Sequence, residues 1–487
     1  MIFKTYPFKM AVIFLTGALF LPISVNPKPT AEDLLPDMGT TAGATLSIDQ
    51  EIEMGDFYLR EIISHAPLIY DPLLNEYINS LGKKLVDHAQ SVKTPFHFYL
   101  LNNNQINASA FLGGNVLVNS GLFFYTDNES ELASVLAHEI SHITQRHLAR
   151  AIENNQRLSQ LTLTSKLGSL LLFLANPKAG MMAWTSSLAL AQQDILSLSQ
   201  SNEQEADRIG LKLLQASGFN AHAMTDFLEK LADESRYTSK PPEMLLTHPL
   251  PESRLVDIYN RANQISRHPV VSSQDYLFAK VRLHGLFELK KNFNEFLKPL
   301  KKGADSERLA AEYGQAILWY QNKKYDKARQ ILQTLSVTYP DNIWFLDLMT
   351  DIDLSQNKAA QAITRLKKAR VAKQYQRIWQ LNLANAYIKA GESAQAVSLL
   401  RRYTFEHPND MNGWDLLIKA ALAKRWRDQA LAAHAENAAL KGNFSQAIGL
   451  LSDASNLVPL GSLQQARYDA RIDQLRQLEQ RFKKYQK

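Results

Sequence analysis

Four alanines, Ala328, Ala362, Ala396 and Ala430, stand 34 residues apart from one to the next. A fixed period of that length confines a chain to stacked helical hairpins, because a small residue is needed where the two helices of each hairpin cross closely. A short polar turn stands before each: KKYDK, NKAAQ, GESAQ and KRWRD. Pro340 and Pro408 close the first and third units in the same register, whereas the second has no closing proline. Trp319, Leu354 and Tyr387 fall in roughly equivalent places of the preceding helices. A further turn and alanine, GNFSQA with Ala447, comes only 17 residues after Ala430, so either half a repeat has dropped out or one helix serves two neighbours. Ser462 to Lys487 reads as one long polar helix that caps the array.

The period resembles the tetratricopeptide repeat and occupies only the C-terminal part of 487 residues, a length that suits two or three domains. Hydrophobic content of 45% and charged content of 21% are those of an ordinary globular protein with a large core. The net charge of +6 is a mild excess, and the Lys and Arg alternate with acidic and amide residues along helices. Such faces are solvated, so no nucleic-acid partner is expected. The chain has no cysteine, which excludes disulfides, a thiol nucleophile, thiolate metal ligands and lipid attached to an N-terminal cysteine.

Residues 1–27 read as an export signal, with Lys4 and Lys9 ahead of an apolar run from Ala11 to Phe20 that Pro22 interrupts. The run is short for a membrane span, and no clean A-x-A cleavage pattern follows it. The expected location is therefore the periplasm. A lead-in over 28–47 precedes a domain over 48–270, with helices from Ile48 to His65, from Pro72 to Leu85, over 128–152 and over 202–216. Phe96 to Leu101 and Asn115 to Asn119 read as strands. Short strands beside long helices predict an α+β domain, mainly helical with a small edge-exposed sheet. A helical connector over 271–306 then leads to the all-α repeat array over 307–487. Leu167 to Ala175 and Met181 to Ala191 read as an apolar helical hairpin or a segment resting on a membrane surface.

The chemistry is carried by His138-Glu139-Ile140-Ser141-His142, an HExxH motif. Residues four apart share one helix face, so both imidazoles can ligate one zinc ion while Glu139 acts as general base toward water activated by the metal. Thr126 to Glu129 has the form of a capping box that would start this helix, and Leu132, Leu136, Ile140 and Ile143 form the stripe that would bury it. A catalytic zinc keeps three protein ligands and one open position. Asn202 to Asp207 opens another helix, on which Glu203 and Asp207 share a face. One of them can bind metal while the other hydrogen-bonds a ligating histidine. Glu205 points elsewhere and reads as structural or solvated. His147 and the remaining histidines lack ligand spacing.

HEISH, then NEQEAD, then THPLPESR resembles the gluzincin metallopeptidases, a group that includes the prenyl-protein (CAAX) endoprotease and the heat-shock membrane protease. With the export signal and the repeats added, the order is most similar to envelope proteases of Gram-negative bacteria that serve outer-membrane β-barrel assembly. That resemblance implies one zinc per chain held by His138, His142 and Glu203, with Glu139 as general base and Asp207 supporting a ligand. It implies a catalytic or gating role for His248, in Thr247-His248-Pro249, and a loop-holding role for Arg254. It also implies that Asn115, Val116, Leu117 and Val118, within the segment 107–121, form an edge strand that binds extended polypeptide by β-addition. The implied partners are polypeptide substrates, outer-membrane β-barrel proteins and the barrel assembly machinery, the latter two met by the repeats. Peripheral membrane contact is a further expectation. The competing expectation is a repeat-based chaperone or scaffold with latent or secondary proteolysis.

Overall fold

The computed structural model describes residues 46–154, 200–237, 241–267, 269 and 271–485. The signal segment 1–27, nearly all of the lead-in and the apolar hairpin within 167–191 lie outside the described residues. Among the described residues no helix is long and apolar enough to cross a membrane.

The N-terminal elements begin with good caps. Helix α1 (Ile48–His65) starts at Ser47, whose Oγ accepts from the Gln50 amide at 3.2 Å while Gln50 Oε1 accepts from the Ser47 amide at 2.9 Å. Helix α2 (Pro72–Val86) starts at Asp71, which accepts from the Leu73 and Leu74 amides, with Pro72 in its first turn. Three strands follow, β1 (His97–Leu101), β2 (Ala108–Phe111) and β3 (Asn115–Asn119), in the spatial order β1-β3-β2. β1 is parallel to β3, with Phe98 opposite Val116, and β2 is antiparallel to it, with Ala110 opposite Val116.

This order corrects the sequence expectation for Asn115, Val116, Leu117 and Val118. They form the central strand, paired on both sides and wholly buried. Strand order is set by which partners a strand finds across the fold, which its own residues do not reveal. The two true edges differ. The outer side of β1 is sealed: Asn79 donates to Phe98 O at 2.9 Å and accepts from Phe98 N at 3.2 Å, and the Ile69 amide donates to Leu100 O at 2.8 Å. β2 is the other edge, with no further strand beside it among the described residues.

Helix α3 (Ser120–Tyr125) leads into α4 (Glu129–Thr144), the HExxH helix. Every residue of α4 except Ile143 is buried. Leu132, Leu136 and Ile140 are fully covered, each worth about 1.5–3 kcal/mol of apolar transfer. The cap is not the expected Thr126–Glu129 pair. Asn128 Oδ1 accepts from the Glu131 amide at 3.0 Å, and Glu131 Oε2 accepts from the Asp127 amide at 2.9 Å. Glu129 instead faces the core, accepting from Tyr77 Oη and the Ser273 amide. The single helix expected over 128–152 is broken. Arg146 takes a positive φ of 53°, and α5 (His147–Asn154) restarts in a new direction. Arg146 is fixed there by a buried ion pair with Glu51 and a hydrogen bond to Leu46 O.

Helix α6 (Gln200–Ala216) packs along α4. Gly210 makes the approach close: a Cβ there would stand 3.2 Å from His138 N. The α7 (His222–Tyr237), α8 (Glu243–Thr247) and α9 (Glu252–Ala262) helices complete this layer.

Beyond two helices at Gln274–Phe287 and Lys290–Leu300, the rest is a stack of antiparallel helices. Tyr325–Thr338, Ala359–Lys368, Ser393–Glu406 and Arg427–Leu440 are the second helices of four hairpins, and each periodic alanine is the fourth residue of one of them. Ala328, Ala362 and Ala396 are 0% exposed and Ala430 is 3% exposed, as close helix crossing requires. The turns repeat as well: Lys323, Asn357, Gly391 and Arg425 all have positive φ between 57° and 79°. Helix Arg427–Leu440 also packs against Phe444–Asn456, so one helix serves two neighbours, and Ala447 fills the second crossing.

The array bends back onto α1. Phe57 meets Phe482 edge to face at 5.5 Å, Arg60 donates to Ala439 O at 2.6 Å, and Tyr485 donates to Glu53 at 3.1 Å. Nearer its start, the array is joined to α2 by Arg282, which lies 2.8 Å from Asp71 and 2.9 Å from Asp347.

Candidate metal centre

On α4, one helical turn brings His138 and His142 onto the same face, with Nε2 atoms 2.9 Å apart. α6 brings Glu203 beneath them, one carboxylate oxygen 3.4 Å from His138 Nε2 and the other 3.4 Å from His142 Nε2. The loop after α8 adds His248, whose Nδ1 stands 3.1 Å from Glu203 Oε1 and 3.3 Å from His138 Nε2. One ligand atom from each of these four residues lies within 4.8 Å of the others, and all four residues are buried.

The surroundings fix these groups. Asp207, one turn after Glu203, accepts from His138 Nδ1 at 3.0 Å. Arg254 of α9 donates through Nη2 to Asp207 at 2.9 Å, lies 2.9 Å from Glu203 through Nη1, and donates to Pro249 O at 2.9 Å. One guanidinium therefore ties the acidic helix to the His248 loop. Burial opposes charge on Asp207, yet the Arg254 guanidinium and His138 hold its carboxyl below the usual range. Asp207 accepts from Nδ1–H, which leaves Nε2 as the His138 nitrogen that turns inward.

This donor set fits a divalent metal. Two imidazole nitrogens 2.9 Å apart, with carboxylate oxygens 3.4 Å away, are held that close by a shared proton or by a metal ion among them. The pull is visible in the proton equilibria. Burial disfavours charge on His138, but hydrogen bonds to Asp207 and Glu203 push it up to about 10. Burial and the neighbouring imidazoles hold His142 well below the ordinary range. Two histidines with one carboxylate, and room for one more donor, suit a catalytic zinc better than calcium or magnesium, which prefer all-oxygen sites.

Glu139 faces the same space. Burial raises its carboxyl, a backbone hydrogen bond from Ala110 of β2 partly offsets this, and Oε1 accepts no hydrogen bond. Its Oε1 lies 3.5 Å from His248 Nε2.

A profile described as Peptidase family M48 matches residues 72–262, and one described as Tetratricopeptide repeat matches residues 353–422. The chain is 62% identical over 480 residues to the beta-barrel assembly-enhancing protease of Yersinia pestis, covering 98% of this chain and 99% of that protein. It belongs to the β-barrel assembly-enhancing protease family. The Escherichia coli K12 member is 58% identical over 457 residues, with 93% of this chain and 94% of that protein covered. A mitochondrial metalloendopeptidase, OMA1 of Schizosaccharomyces pombe, is 25% identical over 215 residues, 43% of this chain and 60% of that protein. The chain is thus a metalloendopeptidase with a repeat array, and its buried histidine and glutamate cluster marks where a metal fits.

Of the residues singled out in the sequence, His138, Glu139, His142, Glu203, Asp207, His248 and Arg254 meet in this one pocket. Asn115 to Val118 do not reach it as an edge; Ala110 of β2 does, through Glu139. Two residues with no assigned role also belong here. His147 places Nδ1 2.8 Å from His142 Nδ1, and its Nε2 is 2.9 Å from Glu205, which is held as a carboxylate, at about 2, first by the His147 hydrogen bond. On an unbroken helix, residues five apart point about 140° away from each other, so spacing gave no signal.

Proposed function

We propose that this metalloendopeptidase is a zinc enzyme of the Gram-negative periplasm, exported by its first 27 residues, that degrades misassembled outer-membrane β-barrel proteins and assists the assembly of others. The observation carrying the metal reading is the convergence of ligand atoms from four buried residues on one point. The client class rests on the name borne by relatives that span nearly the whole chain. Residues 48–270 would form the protease domain, 271–306 the connector and 307–487 the array that meets clients and the barrel assembly machinery.

His138 Nε2, His142 Nε2 and Glu203 would hold zinc, which supplies Lewis acidity toward the scissile carbonyl and toward water. Glu139 Oε1, free of hydrogen bonds, takes the proton of the attacking water and hands it to the departing amide nitrogen as the C–N bond breaks. Its raised affinity for protons suits holding one between those two steps. Asp207, braced by Arg254, keeps His138 oriented. β2 holds the substrate. In an antiparallel pair alternate residues direct their backbone groups outward. The Asn119 amide donates to Asn107 O, so Ala108 and Ala110 are the outward-facing residues. Backbone pairing there would recognise extended chain with little regard to side chains.

His248 acts as a gate in this reading. Its Nδ1 faces Glu203 and His138 as a fourth donor, which closes the site, and its withdrawal frees a position for substrate. The decisive experiment joins metal analysis with cleavage assays. One zinc per chain in both wild type and Glu139→Gln, with cleavage only in wild type, supports the enzyme reading. Wild-type protein that cleaves fully after exhaustive chelation sinks it. A cellular effect that survives Glu139→Gln belongs to the repeats alone.

A further inference from the structure

The two histidines on α4 are braced in different ways. Behind His138 stands a carboxylate, Asp207. Behind His142 stands another imidazole, His147, and only behind that a carboxylate, Glu205, which Arg150 also engages at 2.7 Å. The partners of each neutral ring set the proton pattern of the bracing. Glu205 Oε2 already accepts from Arg150, and it accepts from His147 as well, so His147 carries its proton on Nε2. The neutral ring then offers a lone pair at Nδ1, and His142 Nδ1 must donate to it across 2.8 Å. That leaves His142 Nε2 without a proton, facing His138 and Glu203.

From this chain of hydrogen bonds we infer that His147 and Glu205 are positioning residues, which hold His142 in the one tautomer that can bind metal. The inference rests on the metal reading given above. The break in the helix makes the contact: Arg146, with φ of 53°, turns α5 so that His147 folds back onto His142. A non-glycine residue rarely adopts that conformation, and the buried ion pair with Glu51 fixes the side chain that does. The turn is thus held against its own preference, and what it delivers is an imidazole that is 0% exposed against the back of His142. An imidazole brace also differs from a carboxylate brace in charge. It fixes the proton without bringing another negative group against the ring, in a pocket that already buries Glu139, Glu203 and Asp207.

The test uses the full chain and reads zinc affinity by competition with a chromogenic chelator, alongside peptide cleavage at saturating zinc. His147→Leu keeps the bulk but removes both hydrogen bonds, and it is expected to weaken zinc binding about 10–100-fold. His147→Gln can accept from His142 and donate to Glu205, and it is expected to stay within about threefold of wild type. At saturating zinc both variants should regain most of their cleavage, since neither position touches substrate. Unchanged affinity in His147→Leu overturns the inference. So does an equal loss in Leu and Gln, because that pattern belongs to packing. Should His147→Leu fail to fold, Glu205→Ala at a side chain 37% exposed takes its place, with an expected loss of about three- to tenfold and overturn at no loss. Wild type that binds no zinc in the same titration brings down the metal reading itself, so the two failures are distinct.

Discussion

Two buried charged clusters in this chain invite comparison. At the junction of α2 with the repeats, Arg282 sits between Asp71 and Asp347, with Tyr313 and Asn382 hydrogen-bonded around them. At the other cluster, Arg254 engages Asp207 and one side of Glu203, while the inner atoms of His138, His142, Glu203 and His248 turn toward one another. The first cluster brings its own cation. The second turns two imidazoles, a carboxylate and a third imidazole toward one point. Both are buried and both perturb proton affinities, so neither property distinguishes a working site from a structural one. The convergence of imidazole nitrogens and a carboxylate on one point does, because only that set offers a metal its ligands.

The contrast can be broken at either end. The largest expected effect is Glu139→Gln, which should lower kcat about 10²–10⁴-fold and leave bound metal unchanged, as checked by peptide cleavage and metal analysis. Next is Arg282→Met, which removes the cation of the structural cluster and strands Asp71 and Asp347. Denaturant unfolding should show a loss of about 3–5 kcal/mol, while kcat of the folded fraction stays at the wild-type value. A fall in kcat with unchanged stability would reverse the assignment of the two clusters. Asp207→Asn should weaken metal binding about 10–100-fold, read by chelator competition, because the amide can no longer accept from His138 as a charge. The smallest expected effect is His248→Ala, a rise in peptide cleavage of several-fold, on the order of 1 kcal/mol or less. A fall would instead assign the imidazole to oxyanion stabilisation.

The elements most legible in the sequence were those whose information is local. HExxH spacing brings two imidazoles to one helix face with no knowledge of the rest, and four alanines at a fixed interval report the helix crossings they fill. Glu203 and Asp207 could be paired with that motif through the chemistry a catalytic metal demands. What failed depended on distant partners. Val116 and Val118 read as strand correctly, but only the pairing of β1 and β2 on either side makes β3 central. Thr126 and Glu129 matched a capping pattern, yet Tyr77 and Ser273, from elsewhere in the chain, draw Glu129 into the core. His147 was invisible because its role requires a positive φ at Arg146, a residue type that rarely adopts one.

The docking of the last helix on the first has a bearing on how the molecule comes into being. A chain made from its N-terminus presents Phe57, Glu53 and Arg60 early, but Ala439, Phe482 and Tyr485, which meet them, arrive hundreds of residues later. Until then α1 has an apolar side with nothing against it, while α1 also carries Gly55 against Leu112, at the bend between β2 and β3. The bend between β2 and β3 is therefore buttressed by a helix that the C-terminal helices cover. A polypeptide that stops short of Phe482 therefore has His138, His142 and Glu203 but lacks the contacts that Phe482 and Tyr485 make with α1.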